Sequence, residues 1–212
     1  MTPFYHLLLL LHITAGSIAL IVGTINIVTK KGGQRHRKMG RIFVTSMMIS
    51  AGVALIMAQL KPHPFLFIVG VFTIYLVGTA NRYIKAESET PHLLDWMYSL
   101  GMLVFGSLFL IWGVISLVKN DPMGYVMLVF GAIGLFSVYR DLQNYRGEIK
   151  HPNYRLLIHI GRMVGGYTAT VTAVLVVNAH HLPFALPEFI YWLTPTLILT
   201  PLSLIWIKKR KK

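Results

Sequence analysis

The sequence contains no cysteine, and only 7 of its 212 residues are Asp or Glu. The first absence excludes disulfide frameworks, thiolate metal sites and cysteine nucleophiles. The second, with only 13% of residues charged, leaves long uncharged stretches. No G-x-S-x-G elbow and no serine with an adjacent base is present, so serine hydrolysis has no sequence support. No H-x-x-x-H or H-E-x-x-H pair marks a zinc site either. What the chain does have is apolar residues, 55% of the total, and an excess of cations, 20 Lys+Arg giving a net charge of +13. In a soluble protein that charge would suggest nucleic acid, but nucleic-acid-binding domains spread Lys and Arg through the sequence. Here the cations collect between apolar stretches of membrane-spanning length, so no nucleic-acid partner is expected.

At about 1.5 Å rise per residue, roughly 20 apolar residues cross the hydrocarbon core of a bilayer. Seven segments qualify: Phe4 to Val28, Arg41 to Leu60, Pro64 to Asn81, Leu93 to Val118, Pro122 to Tyr139, Leu156 to Val177 and Phe189 to Ile207. They leave no room for a soluble domain. The expected architecture is therefore all-α, one bundle of seven transmembrane helices over residues 1–212, with a basic tail at 208–212. Met1 to Leu20 lacks the cationic start of a secretory signal and reads as a retained first span.

Cations flanking spans are retained on the cytoplasmic side. Lys30, Lys31, Arg35, Arg37, Lys38 and Arg41 lie in the first connection, Arg82 and Lys85 in the third, and Arg140, Arg146, Lys150 and Arg155 around the fifth, with Arg162 just inside the sixth span. Lys208 to Lys212 close the chain, and only Lys61 and Lys119 fall on the opposite side. Seven spans satisfy this pattern with the N-terminus outside and the C-terminus cytoplasmic. The expected location is the bacterial cytoplasmic membrane, the basic face lying against anionic lipids.

Two blocks resemble one another. His36-Arg-Lys-Met-Gly40-Arg41 opens the second span and His159-Ile-Gly161-Arg162 the sixth, and each continues through small and hydroxyl residues to a Pro-Phe pair, at Pro64-Phe65 and Pro183-Phe184. This suggests a 3+1+3 parallel repeat. Ala15, Ala19 and Gly23 on the first span, and Gly161, Gly165 and Ala169 on the sixth, form small-xxx-small stripes that let helices pack closely.

Ionisable groups within spans are the functional candidates. His12 shares a helical face with Gly16, Ala19, Gly23 and Asn26, a face suited to protein or ligand, or to a single interhelical hydrogen bond. His92 and Asp95, at i and i+3, continue into Tyr98, Ser99 and Met102; His159 and Arg162 repeat that spacing above Gly166 and Thr170. With Asp141 and Arg41 they make a buried polar cluster at the cytoplasmic helix ends. Its simplest reading is a clamp in which Asp95 and Asp141 pair with Arg41 and Arg162.

Three sharper readings compete with the clamp. A metal could be held by His36, His92, Asp95 and His159, though the neighbouring arginines disfavour a second cation. Haem is the second. His12, His36, His63 and His92 fall near four successive span starts, alternating outside and inside, so His12 with His63 and His36 with His92 are candidate cofactor-binding pairs. That alternation resembles the di-haem b-type transmembrane reductases, which implies a redox cofactor and low-spin iron. The third reading is a small-molecule, ion or proton transporter, with His12, Asn26, Asp95 and Arg162 lining a cavity at membrane depth. Pro195 and Pro201 are expected to kink the last span.

The block Lys31-Gly-Gly-Gln-Arg-His-Arg-Lys-Met-Gly-Arg41, and again His159-Ile-Gly-Arg-Met163 with Tyr167-Thr-Ala-Thr-Val-Thr-Ala173, resembles a large bacterial family of predicted multi-pass membrane proteins of unknown function. The resemblance runs from His12 to about Pro195. It implies the topology and carries over no catalytic residue. Function is then open between a redox cofactor protein, a transporter, and a non-enzymatic structural, sensory or assembly protein of the membrane.

Overall fold

The computed structural model describes residues 3–85, 90–181 and 188–211. Among them are seven long helices: α1 (Pro3–Val28), α2 (Gln34–Leu60), α3 (Pro64–Lys85), α4 (Leu93–Val118), α5 (Met123–Tyr145), α6 (Tyr154–Val177) and α7 (Glu188–Lys211), with a single 3-10 turn at Ala179–His181 and no strand. All seven are long and apolar enough to cross a membrane. The α4 bounds coincide with the expected span. Elsewhere the helices outrun the apolar stretches: α2 begins two turns earlier, inside the basic segment, and α3, α5 and α7 extend into theirs. Helical hydrogen bonding does not stop where hydrocarbon stops, because Gln, Arg, Lys and Met are good helix formers in water too. α7 runs through both Pro195 and Pro201. Of the two Pro-Phe pairs behind the expected repeat, Pro64-Phe65 opens α3, and Pro183-Phe184 lies outside the described residues, as does Lys212 of the tail.

α3 is the spine. It packs against α2, α4, α5 and α6, and its buried residues, among them Ile68, Val71, Phe72, Tyr75, Leu76, Val77, Thr79 and Ala80, lie all around its circumference. Two core clusters meet on it. One joins α3 with α4 and α5 through Phe72, Met102, Phe109, Met127 and Val138. The other joins it through Val77 with Ala19 and Val22 of α1, Phe43 and Met47 of α2, Val164 and Tyr167 of α6 and Leu199 of α7. The outer helices keep one apolar face uncovered, with Leu10 and Ile21 on α1, Ile111 and Trp112 on α4, and Ile133 and Phe136 on α5. In water such faces would be an aggregation surface; in a bilayer they are the lipid contact.

Because lipid tails are as apolar as Leu, close packing rather than solvent exclusion holds such helices together. The small-residue stripes do this. Ala15, Ala19 and Gly23 are buried on α1, and the Tyr167 ring of α6 lies 2.6 Å from where a Cβ at Gly23 would be. The tightest approach is between α4 and α5, where a Cβ at Gly124 would sit 2.6 Å from the Gly113 carbonyl oxygen and one at Gly131 would sit 2.9 Å from that of Gly106.

α2 and α6 face each other in parallel across the second cluster. The Phe43 and Tyr167 rings are 6.3 Å apart, and the Thr170 hydroxyl donates to the Met47 sulfur at 3.2 Å. The offset between partners is nearly constant, and continuing it toward the start of both helices sets His36 level with His159.

Candidate functional site

Asp141 lies one turn before the end of α5 and Arg162 two turns into α6, so both side chains are inside the bundle: Asp141 is 0% exposed and Arg162 6%. An unpaired charge there would be very costly, and neither is unpaired. Arg162 Nη2 donates to Asp141 Oδ1 at 2.6 Å, and also approaches the Tyr75 hydroxyl and the Ser137 carbonyl, each at 3.1 Å. The carboxylate takes further donors from three hydroxyls: Tyr75 to Oδ2 at 2.5 Å, Ser99 to Oδ2 at 3.2 Å and Tyr83 to Oδ1 at 2.6 Å. The guanidinium carbon lies 5.0 Å from the Tyr75 ring centre and 5.2 Å from that of Tyr83, close enough for cation–π attraction. Tyr145 extends the network, its hydroxyl lying 3.0 Å from the Ser99 hydroxyl and 3.1 Å from the Asp95 carbonyl. Four helices, α3 to α6, thus converge on one carboxylate whose oxygens each accept two donors. Such a group orients its neighbours; to accept a substrate proton it would first have to release a partner.

Asp95 has a different partner from the one expected. Its carboxylate is held bidentately by Arg82, Nε to Oδ1 at 2.9 Å and Nη2 to Oδ2 at 3.0 Å, not by Arg41. Arg82 ends α3 and Asp95 begins α4, so the two helix ends are already side by side, whereas Arg41 is on an exposed face of α2. Asp95 Oδ2 also accepts the His92 N–H at 2.8 Å, and His92 Nδ1 accepts the Leu94 N–H at 3.3 Å. His92 and Asp95 together cap α4.

The histidines have separate tasks. His12 Nδ1–H donates to the Ser50 carbonyl at 3.0 Å, and the Ser50 hydroxyl donates back to the His12 carbonyl at 3.2 Å, which ties α1 to α2. His63, exposed before α3, accepts the Leu66 N–H on Nδ1 at 3.3 Å. In His63 and His92 the accepting Nδ1 places the proton on Nε2, the nitrogen that haem iron would need. Each expected haem pair therefore contains one ring engaged as a helix cap. His159 Nδ1–H donates to the Ala80 carbonyl at 3.0 Å. Among the described residues no group of three His, Asp or Glu side chains could hold a metal ion. The four residues expected to line a transport cavity are also apart: His12 is on Ser50, Asn26 beside Gly40, Asp95 on Arg82 and Arg162 on Asp141.

A second polar cluster lies at the same end of the bundle, where α1 turns into α2. Lys31 caps the end of α1: its ammonium donates to the carbonyls of Asn26 and Ile27, both at 2.6 Å, and Thr29 at 3.2 Å, and sits 4.2 Å from the centre of the Trp206 ring of α7. Burial pushes its pKa below the ordinary lysine value. Around it, Asn26 Oδ1, Thr29 Oγ1 and His36 Nδ1 are closed to solvent and have no hydrogen-bond partner. Asn26 lies in the last turn of α1 and Thr29 immediately after it. Asn26 Nδ2 lies 3.5 Å from where a Cβ at Gly40 would be, and Gly40 is one turn beyond His36. His36 is also within electrostatic reach of His159 and Lys31.

Tyr75, Tyr83, Arg82 and Tyr145, with Ser50, Thr29 and Trp206, are members of these networks that the sequence did not single out. The first two were legible: Tyr75, Thr79 and Tyr83 recur every four residues and so line one face of α3.

The family described as "Predicted membrane protein (DUF2306)" matches the chain over residues 9–133. The match takes in α1 from Leu9 onward, the whole α1–α2 turn, α2 to α4 and the first half of α5; Asp141, Tyr145 and Arg162 lie beyond it. Comparison with curated proteins and with solved structures finds no match for the chain. More than half of the sequence falls within the family match, and the chain belongs to this family of predicted membrane proteins.

Proposed function

We propose that the chain is a multi-pass protein of the bacterial cytoplasmic membrane, N-terminus outside and basic end in the cytoplasm against anionic lipid, and that it acts there as a non-enzymatic structural or assembly component. The observation that carries this reading is the saturation of Asp141: the most deeply buried charge in the bundle is fully occupied in joining four helices. The orientation rests on the cations, since Lys61 and Lys119 close α2 and α4 at one end and the remaining Lys and Arg residues gather at the other.

The native chain has no cysteine, so single introduced cysteines report topology without background. A membrane-impermeant maleimide applied to intact cells should label Lys119→Cys and leave Glu148→Cys unlabelled; the reverse pattern overturns the orientation. For the clamp, Asp141→Leu combined with Arg162→Met should restore most of the stability that Asp141→Ala loses, because an apolar pair of similar volume replaces the charges.

A redox reading keeps one specific support. His12 donates Nδ1–H to a carbonyl, as metal-ligating imidazoles do, leaving Nε2 free. It requires a visible absorption band that shifts on dithionite reduction in protein purified from haem-replete cells.

A further inference from the structure

The six cations of the α1–α2 segment, Lys30, Lys31, Arg35, Arg37, Lys38 and Arg41, have no carboxylate near them in sequence: no Asp or Glu precedes Glu87. The ion pairs between described residues use Arg82, Arg146 and Arg162 and none of these six. The turn they flank is built on two glycines and leaves the start of α2 uncapped. Gly32 has φ +81°, a conformation that L side chains rarely adopt. Gly33 is the N-cap of α2 and gives it no side-chain cap. A side chain at either glycine would meet nothing within 4 Å. The first N–H groups of α2, at the positive end of its dipole, therefore have no side-chain cap from Gly33.

A helix start among cations would not suffice, but Thr29 Oγ1, His36 Nδ1 and Asn26 Oδ1 lie beside this one, buried and unpartnered. Buried polar atoms are almost always bonded, so three orphans in one turn require an explanation. Threonine and histidine can donate; the asparagine oxygen can only accept. The missing partner therefore has both acceptors and a donor. The Trp206 indole over Lys31, with half-buried Ile27 and Met39, marks the turn as the boundary between apolar and polar surroundings.

We infer that the α1–α2 turn binds the headgroup of an anionic phospholipid bearing a free hydroxyl. The phosphodiester accepts from the first N–H groups of α2, from His36 and from Thr29; the headgroup hydroxyl donates to Asn26; Lys30 and Arg35 supply the balancing charge. This rests on the reading above that the basic end faces anionic lipid, and adds to it one defined site with hydrogen-bonding specificity.

The test uses full-length protein in nanodiscs of phosphatidylcholine, with or without phosphatidylglycerol, and in a third arm phosphatidylcholine plus inorganic phosphate. Thermal unfolding and native mass spectrometry are read in each. Phosphatidylglycerol should raise the unfolding temperature and leave one retained lipid per chain. The triple variant Asn26→Leu, Thr29→Val, His36→Phe should bind it roughly tenfold more weakly or worse, as expected for losing a hydrogen bond to a charged group. Because that variant could misfold, Gly33→Asp is a second probe: it places a carboxylate at the N-cap, suits the extended backbone there (φ −73°, ψ 172°), and competes with the phosphate while stabilising α2. Deleting Lys208 to Lys212 should remove part of the salt-sensitive attraction and leave the retained lipid. A phosphatidylglycerol effect unchanged in both turn variants overturns the site and leaves the basic-face reading standing. No effect of phosphatidylglycerol on the native chain overturns both, and an equal effect of inorganic phosphate overturns the lipid as the ligand.

Discussion

Around Asp141, one guanidinium and three hydroxyls meet two carboxylate oxygens, and α3, α4, α5 and α6 all contribute. Around His36, at the same end of the bundle, three polar atoms from α1, α2 and the turn between them meet no partner. The first cluster leaves one atom of its own unpartnered, Arg162 Nη1, but its carboxylate is filled, whereas the second leaves three atoms without a partner. A network with its acceptors filled is rigid and specifies one helix arrangement. One with buried orphans is less stable than it could be, which is the usual condition of a place kept for something else. The contrast assigns the first to architecture and the second to recognition.

The largest expected effect comes from breaking the filled cluster. Asp141→Ala, or Arg162→Ala, leaves an uncompensated buried charge and should cost about 3–5 kcal/mol in unfolding free energy, read as thermal stability and yield in the membrane. Next, Tyr83→Phe removes one hydroxyl donor from the carboxylate while preserving the ring, and should cost about 1.5–3 kcal/mol. Arg82→Ala should cost about 1 kcal/mol, since its pair with Asp95 is bidentate but partly exposed, whereas Arg41→Ala should cost close to nothing; equal losses would contradict the assignment of Asp95 to Arg82. The smallest effect sharpens the comparison most. In phosphatidylcholine, His36→Phe should be neutral or slightly stabilising, because it removes an orphan, while His159→Phe should lose about 1 kcal/mol with its bond to Ala80. Protein purified from haem-replete cells should also be colourless, with no dithionite-induced change in its visible spectrum.

Much of the architecture was legible in the sequence because lipid imposes a length and a composition on every span. The α4 bounds, the buried stripe on α1 and the pairing of Asp141 with Arg162 all follow from runs of apolar residues and from the cost of isolated charge. The partner of Asp95 did not. Choosing between Arg41 and Arg82 needs the rotation of α2 about its axis, which no spacing in the sequence fixes. Tyr75 and Tyr83 were visible as a stripe, but their relation to Asp141 depends on α3 being central, and centrality is a property of all seven helices together. Asn26 and His36 stood out in the sequence as cavity and cofactor candidates and Thr29 did not, but that all three go unpartnered is visible only in the folded turn, which shows what each side chain fails to touch.

If one cluster is architectural and the other a lipid site, the two respond differently to lipid. The most direct measurement is thermal unfolding of Asp141→Asn and His36→Phe beside the native chain, each in phosphatidylcholine nanodiscs with and without phosphatidylglycerol. Asp141→Asn should lower the transition by the same amount in both lipids, and His36→Phe should shrink only the increment that phosphatidylglycerol provides. An increment that survives His36→Phe intact but disappears in Asp141→Asn would contradict the division of labour.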